Sequence, residues 1–100
     1  MIHVIATIHT AADRRVDLVN AFEDLVPLVR AERGCIEYEP TLDLSTPISS
    51  APRADVVTVV EKWESVEALK DHLVAPHMIA YKQKVADIIV AIDIRVLEPA

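Results

Sequence analysis

The chain has 100 residues, with 10 Lys and Arg against 16 Asp and Glu, a formal charge of −6, and 52% hydrophobic residues. That length suits a single domain spanning residues 1–100 around one core. The acidic balance excludes nucleic acid and anionic membrane as partners, because both are bound through clustered Lys and Arg. The apolar content is high for an isolated small domain, so part of it is expected to lie against a partner, a second copy being the simplest. Cys35 is the only cysteine, which excludes an intrachain disulfide. With no basic leader or cleavage signature before His9, the chain reads as cytoplasmic. The apolar N-terminal run is too short to span a bilayer, and Asp87, Asp93 and Arg95 interrupt the C-terminal one.

Ile2 to His9 reads as a strand, with Ile2, Val4, Ala6 and Ile8 on one face and His3, Ile5, Thr7 and His9 on the other. A helix follows, capped by Asp13, its inward stripe formed by Val16, Val19, Phe22, Val26 and Val29. Pro27 is expected to kink its last turn or end it early. Gly34, the single glycine, stands where this helix hands over to the next strand and suits the positive φ of a helix end. Cys35 to Leu42 reads as the second strand, with Cys35, Glu37 and Glu39 opposed to Ile36, Tyr38 and Pro40.

Asp43 to Asp55, rich in Ser, Thr and Pro, reads as a long exposed loop, expected to cover a pocket or reach a partner subunit. Val56 to Trp63 is the third strand, with Val57, Val59, Glu61 and Trp63 sharing a face. Ser65 then caps a helix whose apolar stripe is Val66, Leu69 and Leu73. Pro76 breaks it, and a second helical stretch runs from about His77 to Ile89, with Tyr81, Val85, Ile88 and Ile89 inward. Ala91 to Leu97 is the last strand. The order β-α-β-β-α-β predicts an α+β, ferredoxin-like antiparallel sheet with helices on one face. The bare face then needs cover, which two sheets meeting in a dimer provide.

The junction from Val56 to His77 concentrates the residues able to carry chemistry. Trp63 is the only Trp and offers either a flat pocket wall or a large packing side chain. Glu61, on its face, is a base if buried and an ion-pair partner if exposed. His72 borders the apolar stripe and His77 opens the segment after the break; either can shuttle protons near neutral pH or serve as a hydrogen-bonded structural residue. Their spacing of five is not the i, i+4 of a helical metal pair and no Cys joins them, which argues against zinc. Tyr38 and Tyr81 are candidate donors to a substrate oxygen or edge-placed core rings. Cys35, among glutamates, reads as a small buried side chain, and His3 and His9 as structural. One glycine cannot build a dinucleotide fingerprint, so a nicotinamide or flavin bound in that manner is excluded.

Three segments carry a family resemblance: Glu32-Arg33-Gly34-Cys35-Ile36-Glu37-Tyr38, Val60 through Leu69 including Glu61-Lys62-Trp63, and His72-Leu73-Val74-Ala75-Pro76-His77. Together they resemble the antibiotic biosynthesis monooxygenase (ABM) domain family, and within it the small quinol monooxygenases. The resemblance implies a dimeric α+β barrel and oxidation of a quinol-like or polyphenolic molecule by O2 with no metal, flavin or haem. It implies that Trp63 lines a substrate pocket, with Tyr38 as a further substrate contact and Glu61 in support, and that His72 and His77 transfer protons or hydrogen-bond the substrate. Some quinone-forming relatives place an Asn on the strand before the Trp, where this chain has Val59; its only Asn is Asn20. Haem-degrading relatives use an Asn on the first strand, where Thr7 stands here. The family also contains isomerases, so two alternatives accompany the oxygenase: an isomerase or tautomerase of a small keto compound, and a non-catalytic module binding a small ligand.

Overall fold

The β-branched run Val56-Val57-Thr58-Val59-Val60 lies in the second strand of a four-stranded antiparallel sheet whose spatial order is β2 (Cys35–Thr41), β3 (Val56–Trp63), β1 (Ile2–Thr10), β4 (Ile89–Leu97). The computed structural model describes residues 1–100. Its elements are β1 (Ile2–Thr10), α1 (Arg15–Arg30), β2 (Cys35–Thr41), β3 (Val56–Trp63), α2 (Val66–Leu73), α3 (Pro76–Lys84) and β4 (Ile89–Leu97). This is the expected ferredoxin-like α+β arrangement, with the second helical unit divided at Pro76 into α2 and α3. No helix is long and apolar enough to cross a membrane.

Register decides what faces the helices. Val4, Ala6 and Ile8 of β1 lie opposite Glu61, Val59 and Val57 of β3, and opposite Val96, Ile94 and Ile92 of β4. The β1 and β3 residues are buried with Trp63 beneath Leu18, Phe22, Leu25 and Val29 of α1 and Leu69, Met78 and Tyr81 of α2 and α3. β4 is an edge strand paired only with β1. Ile92, Ile94 and Val96 therefore remain about half exposed although they share the core-facing side.

Several local expectations are corrected. The inward face of α1 is Leu18, Ala21, Phe22, Leu25 and Val29, whereas Val16 is exposed. Two apolar series share Phe22 and Val29 at helical spacing, and the one turned inward carries two leucines and Ala21, which fills the core while leaving room for close approach. The helix opens at Arg14, not Asp13, which sits in the left-handed region at φ 64°. Pro27 neither ends α1 nor faces inward. It lies on the exposed side, where water can take the bond that its missing N–H leaves open. In α2 the inward residues are Leu69 and His72, while Val66 is exposed. α3 stops at Lys84; Val85 and Ile88 turn inward from the following turn, and Ile89 already belongs to β4.

The strict alternation expected of β2 also fails. A bulge between Cys35 and Glu37 sets Cys35 opposite Trp63 and Tyr38 opposite Glu61, so both lie on the helix-facing side.

Gly34 is at φ 86°, and a Cβ there would fall 2.6 Å from Cβ of Ala68. The glycine thus lets the α1–β2 turn press directly on α2, which is capped by Ser65 Oγ accepting from the backbone N–H of Ala68. The 43–55 loop is clasped by Asp43, whose carboxylate accepts from the backbone N–H of Arg53 and from its guanidinium at 2.9 and 3.1 Å. Those bonds hold the Asp43 carboxyl down to about 2.

Candidate active site

Between the sheet and the three helices lies a cavity of about 320 Å³ whose walls are mostly aliphatic and aromatic. β1 contributes Val4, Ala6 and Ile8, α1 contributes Phe22, α2 Leu69, and α3 Met78 and Tyr81; the edge residues Ile92 and Ile94 line its β4 side. Only a few polar side chains reach its surface: Tyr38, Glu61, His72, Tyr81 and Lys82. A small apolar cavity with a few convergent polar groups is the usual form of a small-molecule site. The loop at residues 43–55 contributes nothing to it, so within one protomer it is not the cover expected of it.

Glu61 is buried on β3 and held by the indole N–H of Trp63, which donates to Oε1 at 3.0 Å. The alternation of the strand puts residues 61 and 63 on the same face, so this bond is local and rigid. Burial pushes the Glu61 carboxyl up to about 7; the Trp63 bond opposes that rise, and the charge of Glu32 adds to it. Its second oxygen has no protein partner. A carboxyl so placed changes protonation state near neutrality, which is the property of a general base.

Trp63 itself does not line the cavity, contrary to what the resemblance implies. Fully buried, it lies behind the wall, its ring 4.7 Å from that of His72. The reason is the register, which seats Trp63 between Cys35 and Ile2 at the end of the sheet, under the α1–β2 turn.

His72 does reach the cavity. Its Nδ1–H donates to Glu32 Oε2 at 2.8 Å, leaving Nε2 as the free, lone-pair nitrogen. Burial lowers the His72 pKa and outweighs the raising effect of the Glu32 hydrogen bond and charge, so the ring is neutral near pH 7. His77 is not at the cavity. From the first turn of α3 its Nε2–H donates to the same Glu32 oxygen at 2.7 Å, and it lines a separate surface depression with Leu25, Leu28 and Lys84. The two histidines are joined to each other only through Glu32.

Tyr38 lines the cavity beside His72, with ring centroids 5.6 Å apart, and burial raises its phenol well above the ordinary value. It remains a donor at any physiological pH. Tyr81 is also raised by burial, and its hydroxyl is a fully buried side-chain polar atom without a hydrogen-bond partner. Cys35, across from Trp63, has its thiol pushed up by burial and by the charges of Glu32 and Glu61, which disfavours the thiolate. His3 and His9 lie away from the cavity.

The residue that sequence reasoning passed over is Glu32. It belongs to the segment that carries the resemblance, yet its partners stand 40 and 45 positions later. The one available signal was its place two residues before the only glycine, at a turn that must pack closely. Phe22 and Met78 were likewise readable only as core.

Comparison with known proteins agrees with this architecture. The family described as antibiotic biosynthesis monooxygenase matches residues 1–84. The chain is 36% identical over 102 aligned positions to the probable quinol monooxygenase YgiN of Escherichia coli (strain K12), covering 99% of this chain and 98% of that one. Among solved structures, PA3566 from Pseudomonas aeruginosa superposes with a TM-score of 0.84 at 23% identity, covering 99% of this chain and 93% of that one. Rv0793 from Mycobacterium tuberculosis gives 0.82 at 24%, covering 99% and 94%. At those identities the structures show the shared fold. The family match and the full-length relative go further: the chain belongs to the antibiotic biosynthesis monooxygenase family.

Proposed function

We propose that this protein is a small-molecule monooxygenase that oxidises a quinol-like or polyphenolic substrate with O2, without a cofactor, as a cytoplasmic homodimer. Family membership and the likeness to a quinol monooxygenase support the general activity. The observation that carries the finer reading is the Glu61 carboxyl, anchored by Trp63 and open on the wall of an apolar cavity that also presents Tyr38 and His72.

In this reading the aromatic ring lies against Phe22, Leu69 and Val59, and the Glu61 carboxylate takes the phenolic proton. The Tyr38 hydroxyl donates to the oxyanion that forms, and the free Nε2 of His72 accepts from a second substrate hydroxyl. The electron-rich anion then reduces O2 directly. For a hydroquinone the balance is quinol plus O2 to hydroxyquinone plus water. One oxygen atom enters the ring, the other leaves as water, and the quinol supplies all four electrons, so no external reductant is required. The low polarity of the cavity favours O2 entry and keeps water from competing for the anion.

The homodimer is supported by apolar surface that one chain leaves open: Val60 on the bare face of the sheet, and Ile92, Ile94 and Val96 along β4. Because Ile92 and Ile94 also line the cavity, a second copy packed there would complete its outer wall.

The test is O2 uptake with a panel of one- and two-ring hydroquinones, with product identified after labelling with heavy oxygen. One labelled atom per hydroxyquinone is expected, and Glu61→Gln should lower turnover by about a hundredfold or more. Silence across the panel, together with proton exchange into a small keto compound, would replace this reading with an isomerase.

A further inference from the structure

We propose that Glu32, His72 and His77 form a binding site for one divalent transition-metal ion, with Zn²⁺ as the representative, at the Nδ1 edge of His72. A spacing of five disfavours a shared ion only when both histidines stand on one continuous helix. Pro76 instead ends α2 and begins α3, so His72 closes one helix while His77 opens the next, and both rings turn toward the α1–β2 turn. There Glu32 supplies a third donor, and the donor atoms of all three residues lie within 4.8 Å of one another.

Two imidazole nitrogens and one carboxylate oxygen are the donor set of open three-ligand zinc and non-haem metal sites. The set is sheltered: the side chains of His72, Glu32 and His77 are 3%, 13% and 22% exposed. Both rings aim at the single oxygen Oε2, at 2.8 and 2.7 Å. A tetrahedral ion at about 2.0–2.1 Å from each donor sets the donors about 3.4 Å apart, so on binding both rings move off Oε2 by about half an ångström and the most widely separated donors close up. Glu32 Oε1 takes no protein hydrogen bond, so the carboxylate is free to turn or to chelate. The partly exposed His77 side leaves room for solvent as a fourth ligand. The absence of a Cβ at Gly34 lets the turn that carries Glu32 lie close against Ala68 of α2.

Occupation has a chemical consequence for the cavity. With the site empty, the His72 proton sits on Nδ1 and Nε2 is an acceptor. A metal on Nδ1 requires that lone pair, so the proton must reside on Nε2, and the nitrogen available to the cavity becomes a donor. The ion thus switches His72 from accepting a substrate hydroxyl proton to donating toward a developing oxyanion. This consequence rests on the function proposed above; the metal site itself does not.

The experiment uses the full chain stripped with chelator and titrated with Zn²⁺ by calorimetry. In parallel, Cu²⁺ or Co²⁺ is added while the fluorescence of Trp63, the only Trp and in ring contact with His72, is followed. Expected are one equivalent of Zn²⁺ per chain at low-micromolar affinity or tighter, strong quenching by the paramagnetic ions, and a higher midpoint of thermal unfolding. His77→Ala and Glu32→Gln should each weaken binding about tenfold or more, while the His3→Ala/His9→Ala double variant should bind as wild type. His77→Ala, the more exposed position, keeps the test decisive if Glu32→Gln fails to fold. Absence of stoichiometric binding, or binding indifferent to His77→Ala, would show a hydrogen-bonded cluster only and overturn the site. Neither result depends on finding a substrate.

Discussion

Trp63 donates its indole N–H to Glu61 Oε1 across 3.0 Å, two residues away on the same face of β3. This bond stabilises the ionised carboxylate in a site whose burial works against it, and the balance leaves the carboxyl at about 7 rather than the ordinary 4.5. The groups around it are the Trp63 N–H, the phenol of Tyr38 and thiol of Cys35 on β2, the Glu32 carboxylate of the α1–β2 turn, and the imidazole of His72 on α2. Among these, the charge of Glu32 raises it further.

Turnover is therefore expected to rise with pH through an apparent pKa near 7, as Glu61 loses its proton. Stability should move the opposite way. The folded protein binds the Glu61 proton more tightly than the unfolded chain, so this contribution is full below about pH 4.5 and is lost as pH rises through about 7. The loss is on the order of 3 kcal/mol. Denaturant unfolding of wild type and Glu61→Gln between pH 4 and 8 measures it: the variant should lack this fall.

Trp63→Phe keeps most of the buried ring and removes only the N–H. Glu61, no longer assisted, should titrate higher, moving the rising limb of the pH–rate profile to higher pH. The unpaired buried acceptor should cost about 1–3 kcal/mol. Trp63→Ala should instead cost about 3–5 kcal/mol, because the side chain is core rather than pocket wall. A profile unchanged in Trp63→Phe would separate Glu61 from the reaction.

Gly34→Ala should destabilise by about 1–3 kcal/mol, since the position needs φ 86° and the new methyl meets Ala68 at 2.6 Å. Adding Ala68→Gly relieves the contact but not the backbone strain, so partial recovery is expected in equilibrium unfolding.

Ile94→Glu places a charge on the half-exposed apolar stripe of β4. Sedimentation should show the wild type as a dimer and this variant shifted toward monomer, with weaker substrate binding because Ile94 also lines the cavity. A wild type that sediments as a monomer would remove the proposed dimer.

Asp43→Ala should open the loop clasp. Limited proteolysis between residues 44 and 52 should accelerate while turnover stays unchanged, because this loop does not line the cavity.

The bounds of β3, the helix break at Pro76, the Ser65 cap and the shared face of Val57, Val59, Glu61 and Trp63 were legible in the sequence. Each depends on local periodicity or on a residue with narrow backbone preferences. The inward face of α1 was not legible, because two apolar series run along it and only packing on the sheet selects between them. The bulge at β2 was equally hidden: it brings Cys35 and Tyr38 to one side, and no local residue type demands it. The site divides the same way. Sequence alone placed Glu61 and Trp63 together and marked His72 and His77 as titratable. Tertiary structure put Trp63 behind the wall, moved His77 away from the cavity, and brought Glu32 between the two imidazoles. That meeting joins residues 40 and 45 positions apart. It depends on how closely one glycine lets a turn approach a helix, a distance that hydrophobic pattern does not encode.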